Sequence, residues 1–146
     1  MKSHVLLIEG ENMLDLSKKD FTQAAEAGYE FELVLPTGEQ SGAFVTIRGD
    51  ESKTVKAYAR RKYTEYQQRE QAMKRRGKTS ELTLEEAEEL AVEAAVVRLI
   101  SWKGLGEAGK ELPFTVENAT RILKEHPWIR NQIVEESSQI LNFRPV

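Results

Sequence analysis

The glycines between Gly104 and Gly109 follow the spacing G-x-G-x-x-G, which in dinucleotide-binding proteins forms a phosphate-binding loop. Such a loop needs a strand before its first glycine and a helix that opens within it, so that phosphate lies at the helix N-terminus. Here the residues before Gly104 are predicted to be helical, and an extended segment at 110–113 precedes the next helix. We therefore interpret the glycines as a flexible helix-to-helix connection that binds no nucleotide.

The other reactive side chains form no catalytic or metal-binding pattern. The two histidines, His4 and His126, are far apart in the sequence, and His126 precedes a proline at a helix junction, where a capping role is expected. Ser137 and Ser138 have no base beside them. The four glutamates within residues 85–89 point around the outside of a predicted helix. The sequence therefore predicts a non-enzymatic protein with no catalytic residue, no metal site and no cofactor.

Length and composition are typical of one domain. A chain of 146 residues can bury a core of its own, and we expect a single domain with a β-rich part at 1–49 and a helical part at 50–146. The absence of cysteine excludes disulfides and fits a reducing cytoplasm. No apolar run approaches the roughly 20 residues that a membrane-spanning helix needs, so no membrane association is expected.

The apolar pattern predicts an α+β fold, in which an N-terminal β-hairpin region precedes a mainly α-helical bundle of about four helices. Strands are expected at 5–8, 31–35 and 43–47, and turn-forming residues join the last two into a hairpin. A short helix is expected at 21–27, where Gly28 ends it.

Capping residues place the four principal helices. Asp50 is the expected N-cap of the first, a capping box of Thr83 and Glu86 opens the second, Thr115 caps the third, and Pro127 begins the fourth. The expected ranges are about 51–76, 84–102, 116–126 and 128–143. Their inward residues are expected to be Val55, Tyr58, Ala59, Tyr63, Tyr66 and Met73; Leu84, Ala87, Ala91, Ala94, Leu99 and Trp102; Val116, Ala119, Ile122 and Leu123; and Ile129, Ile133, Ile140 and Leu141.

Charge is segregated between the first two of these helices. Residues 81–93 contain six glutamates and no base, whereas residues 53–78 contain two acids, Glu65 and Glu70. The same stretch has ten bases: Lys53, Lys56, Arg60, Arg61, Lys62, Arg69, Lys74, Arg75, Arg76 and Lys78. Bases interleaved with tyrosines could contact phosphates and stack on nucleotides. Because the tyrosines share the inward spacing and the acidic helix offers an internal partner, nucleic-acid binding is disfavoured here, but it stays open as an alternative.

The segment from Ile100 to Phe143 contains a distinctive series of motifs. A tryptophan and a glycine end a helix, a loop with glycine follows, and then come a Pro-Phe-Thr-x-Glu-Asn-Ala helix start, a Pro-Trp-Ile-Arg-x-Gln helix and a final Asn-Phe. With these motifs the segment resembles the tail assembly chaperones of tailed bacteriophages. The matching residues are Trp102, Gly104, Gly109, Pro113, Phe114, Thr115, Glu117, Asn118, Ala119, Pro127, Trp128, Ile129, Arg130, Gln132, Asn142 and Phe143. The resemblance marks ten as structural or partner-binding residues: Trp102, Gly104, Pro113, Phe114, Glu117, Asn118, Trp128, Arg130, Asn142 and Phe143. We expect Trp102, Phe114 and Trp128 to be mainly core residues.

The resemblance implies a protein that binds the phage tape measure protein, keeps it soluble and helps to recruit tail tube protein subunits around it. Such a protein acts in the cytoplasm of the bacterial host, is absent from the mature virion, and is often also made in a longer, frameshifted form. Self-association into several copies is part of this expectation. The alternatives are a small nucleic-acid-binding phage protein that uses the basic helix at 53–78 and, third, a structural virion component such as a head–tail connector.

Overall fold

The structure is a computed structural model that describes residues 13–145. Its helices and strands are α1 (Phe21–Ala27), β1 (Tyr29–Val34), β2 (Gln40–Ile47), α2 (Lys53–Arg75), α3 (Leu84–Arg98), β3 (Leu99–Lys103), β4 (Gly106–Glu107), β5 (Lys110–Glu111), α4 (Val116–Glu125), α5 (Pro127–Ser137) and a final 3-10 turn (Ile140–Asn142). The predicted α+β class, with an N-terminal hairpin before a mainly helical remainder, is confirmed. The predicted strand at 5–8 and His4 lie outside the described residues.

The N-terminal part folds as the sequence indicates. The Asp20 carboxylate accepts a hydrogen bond from the Gln23 backbone N–H at 2.8 Å and caps α1, and Gly28, with φ of +101°, ends it. L side chains rarely adopt this φ, and a Cβ at Gly28 would also lie 3.2 Å from the Ile47 carbonyl oxygen, so the position favours glycine. Strands β1 and β2 pair antiparallel as the predicted hairpin.

A third strand, β3, corrects the predicted extent of α3. The helix was expected to continue to Trp102, but it ends at Arg98, and the next five residues form β3, which pairs antiparallel with β2, with Val45 opposite Trp102. The sheet order is β1-β2-β3. The apolar run Leu99–Trp102 fits either a helix or a strand locally. Pairing with a strand more than fifty residues earlier decides in favour of the strand, and no local pattern reports that pairing.

The start of α2 also differs from the prediction. Ser52, not Asp50, is the N-cap, and its buried hydroxyl accepts a hydrogen bond from the Val55 backbone N–H at 3.1 Å. The Asp50 carboxylate is engaged elsewhere, because it accepts hydrogen bonds from Arg98 at 3.0 Å and from Ser137 at 2.9 Å. The helix ends near Arg76 as expected, and the capping box that opens α3 is confirmed.

The C-terminal helices begin where predicted, but the last one ends early. Thr115 caps α4 and Pro127 is the first residue of α5. Helix α5 ends at Ser137 instead of Phe143, because the buried Ser137 hydroxyl donates to the Arg48 carbonyl at 2.6 Å and the chain then turns. The turn leaves Ile140 exposed, contrary to the prediction.

One hydrophobic core joins the sheet to α3, α4 and α5. Its buried residues are Ala25, Leu33, Ala43, Val45, Ile47, Val92, Ala95, Leu99, Ala119, Ile122, Leu123, Ile129, Ile133 and Phe143. The predicted inward residues are therefore right for most of α4 and for the first half of α5, whereas Val116 and Leu141 are exposed. They are wrong for the outer half of α2 and for the start of α3, where Ala59, Tyr63, Tyr66, Leu84, Ala87 and Ala91 are exposed. No helix described within residues 13–145 is long and apolar enough to cross a membrane.

Candidate binding surfaces

The G-x-G-x-x-G segment forms a β-hairpin, not a flexible connection. Strand β3 leads directly into Gly104, which corrects the prediction that no strand precedes it, and β4 then pairs with β5. The two residues of the turn, Ala108 and Gly109, have φ of +51° and +78°, as in the type I′ turns that suit two-residue hairpins. A phosphate cradle would need a helix to open within the motif, and the next helix begins only at Val116. This arrangement favours a structural role for the glycines of the motif over phosphate binding.

Gly104 has a packing role of its own. Its φ is +75°, and a Cβ there would lie 2.7 Å from the Gly42 carbonyl oxygen in β2. The hairpin is also tied to α4, because the Arg121 guanidinium donates to both carboxylate oxygens of Glu107 at 2.9 and 2.7 Å. Glycine is therefore required at position 104, because the backbones at Gly104 and Gly42 lie too close together to admit a side chain.

Five residues before and at the start of α4 form what we call the clasp: Trp102, Leu112, Pro113, Phe114 and Asn118. The indole N–H of Trp102 donates to the Leu112 carbonyl at 2.8 Å, and its ring meets Phe114 edge-on with centroids 5.0 Å apart. The Asn118 amide donates to the Pro113 carbonyl at 2.9 Å. The clasp joins β3 to α4.

The last residues of the resembling segment hold the C-terminus onto the sheet. Phe143 is 4% exposed and packs edge-on against Tyr29, with centroids 5.9 Å apart. A Cβ at Gly49 would lie 2.8 Å from the Phe143 ring, so the aromatic ring fills the space over that glycine. The Asn142 amide donates to the Glu136 carbonyl at 3.0 Å. These contacts secure the turn after α5.

Gln132 connects α5 to β1 through two hydrogen bonds. Its side-chain carbonyl accepts from the Val34 backbone N–H at 2.9 Å, and its amide donates to the Val34 carbonyl at 2.7 Å. One side chain thus satisfies both backbone groups of a strand residue, which explains why an amide side chain suits this position.

The remaining residues singled out from the sequence are not brought together. Trp128 is half-buried against the core and lines a shallow groove with Leu35 and His126. Arg130 is half-buried, and Glu117 is exposed. The predicted core role is therefore right in part, since Trp102, Phe114 and Trp128 pack against the core without being fully buried. His126 occupies the cap position of both α4 and α5, but its side chain makes no capping hydrogen bond.

Residues 59–91 project from this body as an antiparallel pair of helices, which we call the arm. None of its residues is buried. The two helices are joined by ion pairs: Arg69 donates to Glu86 through both terminal nitrogens, at 2.5 and 3.3 Å, and at the base of the arm Lys62 lies 2.5 Å from Glu93. The acidic helix is therefore an internal partner of the basic helix at these two points.

The contacts between the two helices of the arm also shift the pKa values of the side chains involved. The hydrogen bonds from Arg69 lower the pKa of Glu86 from 4.5 to about 2, and the hydrogen bond from Lys62 lowers the pKa of Glu93. At the base of the arm, burial and then the Glu93 carboxylate raise the pKa of Tyr58 to about 12. The Nε of Arg69 is buried without a hydrogen-bond partner among the described residues. The seam of the arm is thus polar, in contrast to the apolar core of the body.

One side of the arm presents an apolar groove. Tyr63 is 66% exposed, Tyr66 46% and Leu82 42%. What we call the arm groove has a volume of about 510 Å³, and it is lined by Ala59, Lys62, Tyr63, Glu65, Tyr66, Arg69, Leu82 and Leu90. The spacing of Tyr63 and Tyr66 predicted that both lie in the core, which is wrong. The low apolar content of α2 beyond Tyr58, where the helix leaves the body, is the feature of the sequence that indicates their exposure.

Basic charge is in excess along α2 and just after it. Four of the ten bases form ion pairs: Lys56, Arg61, Lys62 and Arg69. The other six, all exposed, form no ion pair with any residue in the described range 13–145: Lys53, Arg60, Lys74, Arg75, Arg76 and Lys78. Over that range no cluster of three or more side chains that could hold a metal ion occurs.

Comparison with known proteins identifies a family. Residues 50–146 match the family described as YdaY prophage protein, and this match covers the arm, the clasp and the C-terminal helices. No curated protein and no solved structure matches the chain significantly. The match extends over more than half of the chain. The chain therefore belongs to the YdaY prophage protein family and is derived from a prophage.

Proposed function

We propose that this protein is a bacteriophage tail assembly chaperone that binds the tape measure protein and keeps it soluble while the tail is built. The observation that carries the proposal is the residue pattern from Trp102 to Phe143, which resembles that of the phage tail assembly chaperones. The pattern lies inside the 50–146 region of the prophage family match. From the pattern and the family together we infer that the protein acts during phage morphogenesis.

The arrangement of these residues supports a scaffold with a separate binding surface. The clasp, Gly104 and Phe143 are engaged in contacts within the fold. The arm leaves apolar side chains exposed, and unpartnered apolar surface of this kind marks protein-binding sites. We therefore propose a non-enzymatic function that depends on binding.

The proposed mechanism follows from the chemistry of a long apolar client. Exposed apolar stretches of a tape measure protein aggregate at cellular concentrations, and a groove that accepts an amphipathic helix covers one such stretch. Several copies would bind along one client in the host cytoplasm, help to recruit tail tube subunits, and leave before the virion is complete. The affinity would depend on a few apolar anchors.

Co-expression tests the proposal. The tape measure protein of the same prophage genome is produced with and without this protein, and the soluble fraction and the copies bound per tape measure chain are measured. We expect a soluble complex with many copies, and the tail tube protein is then added to test its recruitment. Production with an unrelated soluble prophage protein is the control. Unchanged solubility and no complex, also with any frameshifted longer form, would contradict the proposal.

A second candidate, nucleic-acid binding, rests on the unpaired bases at the tip of the arm, Lys74, Arg75, Arg76 and Lys78. Phosphate contacts release counterions, so such binding weakens steeply with salt. We expect no shift of duplex or single-stranded DNA at physiological salt. Tight, salt-sensitive binding that is lost when Lys74, Arg75 and Arg76 are replaced by glutamate would favour this second function instead.

A further inference from the structure

We infer that the arm groove is the docking site for an amphipathic α-helix that carries acidic residues along one side of its apolar stripe. The inference rests on the proposed function only in naming the tape measure protein as the source of that helix. Three features of the described residues lead to it: the unfilled apolar groove, its dimensions, and the sign of the charge along one of its edges.

The arm lacks the packing that normally holds two helices together. Its seam consists of the ion pairs of Arg69 with Glu86 and of Lys62 with Glu93, and exposed ion pairs contribute little to stability. Beside this seam Tyr63, Tyr66 and Leu82 remain exposed. Burial of these side chains by a third helix would complete a three-helix bundle, in which each helix has an apolar stripe to cover.

The dimensions suit one helix. Ala59, Tyr63 and Tyr66 are spaced by four and three residues, so they form one stripe along α2. The part of α2 within the arm, from Ala59 to Arg75, is about 25 Å long at 1.5 Å per residue. On α3, Leu90 lines the groove, and Ala87 and Ala94 are its neighbours at three and four residues along the helix. These alanines allow a partner helix to approach α3 closely.

The two edges of the groove differ in charge. On α2, positions 60, 67 and 74 recur every seven residues and run beside the tyrosine stripe, and two of them are the unpaired bases Arg60 and Lys74. The α3 edge carries the uncharged Ala87 and Ala94. Three acids beside the groove, Glu65, Glu86 and Glu93, are ion-paired with Lys62 or Arg69. Among the described residues, the two unpaired bases Arg60 and Lys74 outnumber the one unpaired acid on the stripe, Glu70, so a helix with acidic residues on one flank is favoured over one with basic residues there.

Fluorescence anisotropy with two designed helical peptides tests the inference on the full chain. Both peptides have 18 residues and the same leucine stripe, and one has glutamates along a flank where the other has lysines. We expect the acidic-flanked peptide to bind at least about tenfold more tightly, which corresponds to about 1.4 kcal/mol. Equal binding of the two peptides, or binding of neither, would overturn the inference.

Variants locate the site. Tyr63→Glu with Leu82→Glu should weaken the acidic-flanked peptide at least about tenfold, whereas Leu141→Glu, at an exposed position outside the arm, should not. Arg60→Glu with Lys74→Glu should reverse the preference between the peptides, and Lys18→Glu with Lys19→Glu should not. Thermal unfolding verifies that these exposed substitutions leave the fold intact.

Further outcomes separate the inference from its rivals. If the protein is a dimer that Tyr63→Glu dissociates, the groove belongs to a second copy; if Arg60→Glu with Lys74→Glu abolishes DNA binding instead, it belongs to nucleic acid. Either result overturns the inference. Tape measure solubilisation that survives Tyr63→Glu with Leu82→Glu defeats the inference alone, whereas its failure with the unaltered protein defeats the proposed function.

Discussion

The body and the arm are stabilised by different interactions, although both are largely helical. In the body, aromatic and aliphatic side chains from distant parts of the chain meet in one core, and side chains such as Gln132 and Asn118 satisfy specific backbone groups. In the arm, none of residues 59–91 is a buried residue, and two charge pairs align the helices. Apolar contacts provide stability; exposed ion pairs provide mainly alignment.

This difference indicates a division of labour. A surface that must receive another chain needs exposed apolar groups, and those groups can be left unpartnered only if the remainder of the fold provides the free energy. The arm carries the exposed apolar side chains, and the body contains the hydrophobic core that stabilises the fold. The predictions below test whether the two regions are as separate as their contacts indicate, beginning with the largest expected effect.

Truncation of Phe143 should be the most damaging change. Phe143→Ala leaves a cavity over Gly49 and against Tyr29, and removal of a buried phenylalanine typically costs about 3–5 kcal/mol. Tyr63→Ala, on the arm, should change the free energy of unfolding by less than about 0.5 kcal/mol. Urea denaturation measures both, and insoluble Phe143→Ala protein would count as the expected result. Similar losses for the two variants would show that the arm is part of the core.

Alanine at two glycines with positive φ separates backbone strain from packing. Gly77→Ala, after α2, meets nothing within 4 Å and should cost about 1 kcal/mol through its φ of +67°. Gly104→Ala adds a clash with the Gly42 carbonyl in the body, and we expect about 2–3 kcal/mol. Chemical denaturation of the two variants checks the order. Equal costs would mean that β2 moves away from β3 without loss.

Removal of the amide at position 132 should have a moderate effect. Gln132→Leu keeps the side-chain size but deprives both backbone groups of Val34 of their partners, and we expect a loss of about 1–2 kcal/mol. The matched control, Gln139→Leu, alters an exposed glutamine after α5 and should be close to neutral. Thermal unfolding followed by circular dichroism compares them. A neutral Gln132→Leu would indicate that water replaces the lost contacts.

The pH dependence of the arm should be the smallest effect. The pKa of Glu86 is lowered in the folded arm, so its contribution is present above pH 4.5 and is lost as the pH falls towards about 2. Amide hydrogen exchange should show the arm loosening over that range before the body does. In Glu86→Gln the arm should already be looser at pH 7 and should change less on acidification. Protection that is independent of pH in the unaltered protein would contradict this assignment.

The sequence predicted the local features well and the long-range ones poorly. The N-caps Thr83 and Thr115 and the start at Pro127 could be predicted because a cap involves residues within one turn of each other. Strand β3 could not, because its partner β2 lies more than fifty residues away. Asp50 failed as a cap because Arg98 and Ser137, from other elements, bind its carboxylate.

For the candidate site the limits were similar. The resembling pattern located most of the clasp, whose contacts lie within that segment. It also located Phe143, although the contacts of that ring with Tyr29 and Gly49 lie outside the segment. The exposure of Tyr63 and Tyr66 could not be predicted from their spacing, because the same stripe would be inward on a helix that stays against the body. Burial depends on where a helix goes, and α2 leaves the core after Tyr58.

The two hydrogen bonds between Gln132 and Val34 have a consequence for the open edge of the sheet. Strand β1 is at the edge of the sheet, and an open edge offers unpaired donors and acceptors onto which another extended chain can add as a strand. At Val34 both groups are already bound to a side chain of the same protein. An unfolded segment that approaches this end of the strand finds no free hydrogen-bonding groups there. This end of β1 is thereby protected from the addition of another extended chain as a further strand.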